Sequence, residues 1–129
     1  MPAKLGVVII NYNGESMIEH CLEELQKQSY KNKEIIFLDN HSTDNSVQLV
    51  KNKFPDVEIF ETGFNGGYSG GAEEAVKLAR KKGWEYLMLM NADIVFENEY
   101  IEKIMTKISQ NEQIGSIIGK LKQYKFFDR

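Results

Sequence analysis

In the stretch Glu85 to Tyr100, EYLMLMNADIVFENEY, an apolar run ends abruptly at Asn91-Ala92-Asp93. A carboxylate at the end of a buried strand is costly to desolvate unless it is paired, capped or turned toward a ligand. Asp93 is therefore either a turn residue or an oxygen ligand for a hard divalent cation such as Mg2+ or Mn2+. Such an ion can take one protein carboxylate and complete its shell from substrate phosphate oxygens. Asp39, which closes the run EIIFLDN with Asn40, poses the same question. Either it satisfies loop amides together with Asp44, or it accepts hydrogen bonds from a ribose or a base N–H. A third feature is GFNGGYSGG, Gly63 to Gly71. Its glycines let backbone approach a ligand closely, and it leads into a helix N-terminus that favours phosphate. It matches neither a dinucleotide fingerprint nor a P-loop: the loop after the first strand lacks G-x-G-x-x-G, and G-K-[ST] is absent. The plain alternative is a turn joining strand to helix. His20 and His41 are isolated, and Cys21 reads as a small core residue because no base partner accompanies it.

These residues need a frame. Leu5 to Ile10, LGVVII, is a β-branched run without alternation, the signature of a strand buried on both faces of a parallel sheet. Ser16 with Glu19 forms a capping-box pattern, and Ile18, Cys21, Leu22 and Leu25 predict a helix from about Ser16 to Gln28. Glu34 to Asn40 predicts a second buried strand. HSTDNS then caps a helix carrying Val47, Val50 and Phe54, which Pro55 ends. Val57 to Thr62 alternates apolar and polar residues and predicts a half-exposed or edge strand. Ser69 caps a helix with a small-residue stripe of Ala72, Ala75, Val76 and Ala79, which Gly83 ends. Tyr86 to Met90 predicts a fourth strand, and Ile101, Ile104, Met105 and Ile108 a helix face. Ile114 to Lys120 predicts a fifth strand. Strands alternating with amphipathic helices imply an α/β fold with a mainly parallel, doubly wound sheet and helices on both faces. Ligands bind such sheets outside the carboxyl ends of the strands. Asn11 to Gly14, Asp39 to Ser42, Gly63 to Gly71 and Asn91 to Asp93 each follow a strand.

The 129 residues fit one domain, 1–129, with enough chain for a real core. Hydrophobic content of 42% and charged content of 27% exclude a disordered tail. The single cysteine excludes an internal disulfide and a cysteine-cluster metal site, and fits a reducing, cytoplasmic compartment. No apolar run reaches bilayer length, so no transmembrane segment is expected, and the first residues lack a signal-peptide pattern. The net charge of −3, with both signs interspersed, offers no footprint for nucleic acid. Lys120, Lys122 and Lys125 read as a solvated face.

Taken in order, VVIINYNGESMIEHCLEELQKQSYKNKEIIFLDNHSTDNS, FNGGYSGGAEEAV and YLMLMNADIVFENEYIEKI resemble the nucleotide-sugar-binding half of the family 2 inverting glycosyltransferases. The likeness runs from about Leu5 to Gly119 and implies the GT-A fold, a Rossmann-like nucleotide-diphospho-sugar transferase architecture. By that resemblance, Asn11, Tyr12 and Asn13 form the turn that contacts the nucleotide, and Asp39 binds the pyrimidine base or its ribose. Asn65, Gly67 and Gly70 belong to the N-x-G-x-x-x-G segment beside it. Asn91-Ala92-Asp93 stands where the family has D-x-D, with Asp93 as the metal ligand for Mg2+ or Mn2+ and Asn91 as in the N-x-D subset. Asn40 replaces a second aspartate, and Ala72-Glu73-Glu74 stands where two asparagines often follow the glycines. The N-Y-N-G turn and the glycine pattern are most similar to rhamnosyltransferase-type members, which points to a UDP- or dTDP-activated sugar. The resemblance further implies metal-assisted transfer with inversion to an acceptor glycan, lipid-linked or protein, at the inner face of the membrane or in the cytoplasm. Family members continue into a half that supplies the acceptor surface and general base, whereas this sequence ends at KFFDR. The expectation is a donor-binding half, truncated after about the fifth strand, with the base beyond the chain end and Asp128 no substitute. The alternative is a non-catalytic interaction module that keeps the fold and pairs as a homodimer over its exposed edge.

Overall fold

The computed structural model describes residues 3–94 and 96–110. Its elements alternate: β1 (Leu5–Asn11), α1 (Glu15–Gln26), β2 (Lys33–Asp39), α2 (Ser46–Lys53), β3 (Glu58–Glu61), α3 (Gly67–Lys82), β4 (Tyr86–Asn91) and α4 (Tyr100–Gln110). The strands form one sheet in the order β3-β2-β1-β4, and every pairing is parallel. The expected α/β architecture holds, with the short, alternating β3 at an edge. The predicted strand Ile114 to Lys120 lies outside the described residues.

Successive strand residues serve opposite faces of the sheet. Val7, Ile9 and Phe37 pack with Ile18, Leu22 and Leu25 of α1, Val50 of α2 and Ile101 and Met105 of α4. Val8, Ile10, Ile36 and Leu38 pack with Ala75 and Leu78 of α3. Both faces are covered, which is why β1 lacks polar alternation. Each side chain of this size contributes about 1.5–3 kcal/mol on full burial. Two glycines mark close approaches: a Cβ on Gly6 would stand 1.8 Å from the Trp84 ring, and one on Gly71 2.8 Å from Ile10 Cγ2.

The parallel register aligns the strand ends. Asn11 pairs with Asp39, Asp39 with Glu61, and Ile10 with Asn91. The loops that follow therefore open along one edge, as the topology requires.

The helix starts differ from expectation. The residue preceding α1 is Gly14, with no side-chain cap, so Ser16 lies in the first turn and its capping box does not form. The Glu15 N–H donates instead to Asp44 Oδ2 at 3.0 Å, so the cap comes from the next βα loop. α3 likewise begins at Gly67 after Gly66, earlier than a Ser69 cap allows, which places Gly70 and Gly71 inside the helix. Val76 is exposed and Leu78 is buried in its place, because the stripe facing the sheet is set by Gly71, Ala75 and Leu78. α1 stops at Gln26, short of Gln28. Gln28 is fully buried and clasps α4: its Nε2 donates to Glu97 O at 2.7 Å, and its Oε1 accepts from Ile101 N at 3.1 Å.

Candidate functional site

At the end of β1, Asn11 is 1% exposed and anchors a polar network. Its Nδ2 donates to Asp39 Oδ1 and Ser46 Oγ, each at 2.9 Å. Ser42 donates to the same carboxylate twice, through its hydroxyl to Oδ1 at 2.6 Å and through its N–H to Oδ2 at 2.9 Å. Asp39, 2% exposed, thus satisfies its own loop and ties it to β1. Asn13 adopts φ 53°, a left-handed conformation that asparagine tolerates better than most residues. Its Oδ1 accepts from Thr43 N at 2.7 Å and Asp44 N at 3.2 Å, while its own N–H donates to Ser42 Oγ at 2.9 Å. Asp44 in turn accepts from the Ser46 hydroxyl at 2.6 Å and the Ser46 N–H at 3.0 Å. Burial pushes the Asp44 carboxyl up, but the bonds from Ser46 and from the Glu15 amide outweigh it and hold the group below its ordinary value. The loops after β1 and β2 are thereby locked together, with Tyr12 standing half-exposed between them.

The loop after β3 is pinned by a second set of bonds. Buried Asn40 donates from Nδ2 to Gly67 O at 2.9 Å and accepts from Thr62 Oγ1 at 3.1 Å on its Oδ1. Asn65 Oδ1 accepts from Gly67 N at 2.9 Å, and Gly67 sits at φ 73°, where a side chain would be strained. After β4, Ala92 is buried while Asn91 and Asp93 are exposed, so the two polar side chains of N-x-D face outward together.

These loops enclose a cleft of about 520 Å³ at the carboxyl edge. Of the nine residues picked out by sequence, Asn11, Tyr12, Asn13, Asn65, Gly67, Asn91 and Asp93 line it. Asp39 sits beneath, its carboxylate turned into the loop network, and Gly70 lies within α3, away from the lining. Asn40 and Tyr68 line the cleft and were not among those nine. The signal for Tyr68 was an aromatic residue set amid glycines; for Asn40 it was a polar residue adjoining Asp39.

Among the described residues, Asp93 is the only carboxylate of the lining, which contains no lysine, arginine or histidine. No group of three His, Cys, Asp or Glu side chains able to hold a metal occurs among them either. The donor set suits a hard cation that takes one carboxylate here and its remaining oxygens from a phosphate ligand and water. Cys21 is buried in the core, where burial, with a contribution from the Asp93 charge, pushes its thiol up to about 12. It stays protonated and is no nucleophile. No helix among the described residues is long and apolar enough to cross a membrane.

The family description "Glycosyl transferase family 2" matches residues 6–126. The poly(ribitol-phosphate) beta-glucosyltransferase of Bacillus spizizenii is 33% identical over 125 residues, covering 92% of this chain and 19% of that protein. The poly-beta-1,6-N-acetyl-D-glucosamine synthase of Staphylococcus epidermidis is 27% identical over 122 residues, covering 89% of this chain and 28% of that protein. The chain therefore spans less than a third of the length of these two relatives. In structure, it resembles S. aureus TarS in complex with UDP, with a TM-score of 0.73 and 24% identity over 84% of this chain and 33% of that one. It also resembles the mannosyltransferase PcManGT of Pyrobaculum calidifontis in complex with GDP-Man and Mn2+, with a TM-score of 0.72 and 19% identity over the same shares. At these identities the structural likeness establishes the fold alone.

Proposed function

The chain belongs to glycosyl transferase family 2, and from that premise we propose that its cleft binds a nucleoside-diphosphate sugar with a divalent cation, as the donor site of a sugar transferase. One observation carries the reading: the cleft at the carboxyl edge gathers polar turn residues from β1, β3 and β4, with Asp93 as its only carboxylate and no basic side chain among the described residues. A diphosphate carries several negative charges and would be repelled by Asp93 alone. A divalent cation between them converts that repulsion into attraction, which assigns Asp93 its role. Asn91, beside it, offers an amide oxygen of lower charge. When bound, Mg2+ or Mn2+ would stabilise charge on the departing diphosphate. Asn11 and Asp39 hold the loop carrying Tyr12, and Asn13 fixes that loop against the next one. Gly67 leaves room for a ligand, since a Cβ there would meet nothing within 4 Å.

Transfer with inversion is the reaction we propose for the whole protein: direct displacement at the anomeric carbon while a general base takes the acceptor hydroxyl proton. The cleft has no second carboxylate among the described residues, so the base and the acceptor surface are assigned outside them. The N-Y-N-G turn favours a UDP- or dTDP-linked donor of the rhamnosyltransferase type, with a glycan, lipid-linked or protein acceptor.

Calorimetric titration of the chain with UDP and dTDP, with and without Mn2+, tests the reading. Binding that requires Mn2+ is expected. No binding of either nucleotide at millimolar concentration with Mn2+ would overturn it and favour a module that keeps the fold for contacts with a protein.

A further inference from the structure

We infer that Asn65-Gly66 is a site of spontaneous covalent modification, at which the folded chain converts Asn65 to aspartate or isoaspartate while it protects its other Asn-Gly pair, Asn13-Gly14. The inference goes beyond the donor-site reading and holds whether or not the cleft takes a nucleotide. Both pairs lie in loops at the carboxyl edge, after β3 and after β1. Asparagine is among the chemically labile residues. A glycine that follows it has no Cβ to hinder attack by its backbone nitrogen.

The step consumes one water and releases one ammonia. The Gly66 nitrogen gives its proton to solvent and attacks Asn65 Cγ, closing a cyclic imide as the Cγ–Nδ2 bond breaks. The departing nitrogen takes a proton back from solvent and leaves as ammonia. Water then opens the ring at either carbonyl, which yields aspartate, or isoaspartate with the backbone routed through the former side chain.

The fold sets up Asn65 for this chemistry. Asn65 and Gly66 are exposed, so water reaches them. Asn65 Oδ1 accepts from Gly67 N at 2.9 Å, an Asx turn that curls the carboxamide back over the peptide whose nitrogen attacks it. That same N–H meets the negative charge that grows on Oδ1 as Cγ becomes tetrahedral, as an oxyanion hole does. Gly67 is held in place at φ 73°, with its carbonyl accepting from Asn40 Nδ2 at 2.9 Å. Neither the attacking Gly66 nitrogen nor the departing Nδ2 has a hydrogen bond to give up among the described residues.

Asn13 has the opposite setting. Its Oδ1 is turned to the next loop, where it accepts from Thr43 N at 2.7 Å and Asp44 N at 3.2 Å. Its own N–H is held by Ser42 Oγ at 2.9 Å. Gly14 is confined as well: a Cβ there would stand 2.3 Å from Asn11 Oδ1, and its carbonyl accepts from Met17 N and Ile18 N. Attack at Asn13 requires the bonds that lock the first two loops to break first. Conversion of Asn65 has a consequence for the cleft it lines. It adds a carboxylate where Asp93 is otherwise the only one among the described residues, and isoaspartate lengthens the backbone ahead of the Gly67 turn.

The test is peptide mapping by mass spectrometry of the full chain, sampled over time in warm, mildly alkaline buffer, both folded and unfolded in concentrated urea. In urea the two pairs should convert at similar rates. Folding should slow Asn13 at least about tenfold, the effect of first releasing its two loop amides, and leave Asn65 within about threefold of its unfolded rate. Asn65→Gln, whose longer side chain must close a larger ring, should abolish conversion at that position, and Gly66→Ala should slow it even in urea. Folded Asn65 slowed as much as Asn13 overturns the inference, as does faster conversion at Asn13 than at Asn65 in the folded chain. A signal in the same peptide that survives in Asn65→Gln belongs to another amide and overturns it too. Nucleotide binding plays no part in this readout, so the inference and the donor-site reading fail separately.

Discussion

Asn11 ends β1 and Asp93 follows the end of the adjacent β4, and the two make opposite demands on the protein. Asp93 is exposed and its carboxylate makes no hydrogen bond or ion pair among the described residues, so Asp93→Ala should leave the urea midpoint within about 0.5 kcal/mol of the parent. Its Mn2+-dependent gain in UDP affinity should disappear in the same titration. A variant that still binds UDP better with Mn2+ than without would remove Asp93 from the metal role. Asn11 is buried and serves Asp39 and Ser46 at once, so Asn11→Ala leaves Asp39 Oδ1 with the Ser42 hydroxyl alone and removes one partner of the Ser46 hydroxyl, which still donates to Asp44. A loss of about 2–3 kcal/mol in urea unfolding is expected, and a loss under 1 kcal/mol would show that water replaces the amide. This contrast was only partly legible in the sequence. The residue types that could do chemistry were visible because strand ends in a parallel sheet carry them. Whether Asp39 served a ligand or its own loops was not, because its partner Asn11 lies 28 residues away. Tyr68 was hidden for a related reason: its place at the cleft follows from the turn at Gly67, which contacts with Asn65 and Asn40 hold.

At the scale of elements, α3 tests how a helix is held on the sheet. Gly70 and Gly71 adjoin in sequence and should respond with opposite signs. A Cβ on Gly71 would press to 2.8 Å from Ile10 Cγ2, so Gly71→Ala must push α3 away from β1, at about 1–3 kcal/mol. A Cβ on Gly70 meets nothing within 4 Å, and its helical backbone suits alanine, so Gly70→Ala should raise stability by about 0.5–1 kcal/mol. Urea midpoints of the two variants decide it: both falling together would mean that the start of α3 is not helical in solution. The strands and helices themselves were legible, since unbroken β-branched runs and 3.6-residue periodicity survive folding unchanged. The helix starts were not. Ser16 and Ser69 looked like caps because a capping residue next to its helix is the common case, whereas Asp44 reaches α1 from another loop. The glycines of α3 read as loop for the same local reason, although close packing on Ile10 explains Gly71.

For the molecule as a whole, those cross-loop bonds make stability depend on acid. Asp44 accepts from the Glu15 amide at the start of α1 and from the N–H and hydroxyl of Ser46 at the start of α2, so one carboxylate joins two helices on the same sheet face. Burial raises its pKa and those bonds lower it by more, leaving the folded-state value beneath the ordinary 3.8. A group whose pKa is depressed by folding adds stability that is fully present above its unfolded value and lost as pH falls through the folded one. The contribution of Asp44 should therefore be constant from neutrality to about pH 5, then shrink as pH falls below about 4. Asp44→Asn keeps the shape without the charge, so it should be less stable than the parent at pH 7 by a margin that narrows at pH 3. Urea midpoints of both proteins at pH 7, 5, 4 and 3 measure that margin. A constant margin across the series would mean that the Asp44 charge does not couple α1 to α2. A narrowing one would locate the acid sensitivity of the fold in the polar lattice that also holds Tyr12 at the cleft.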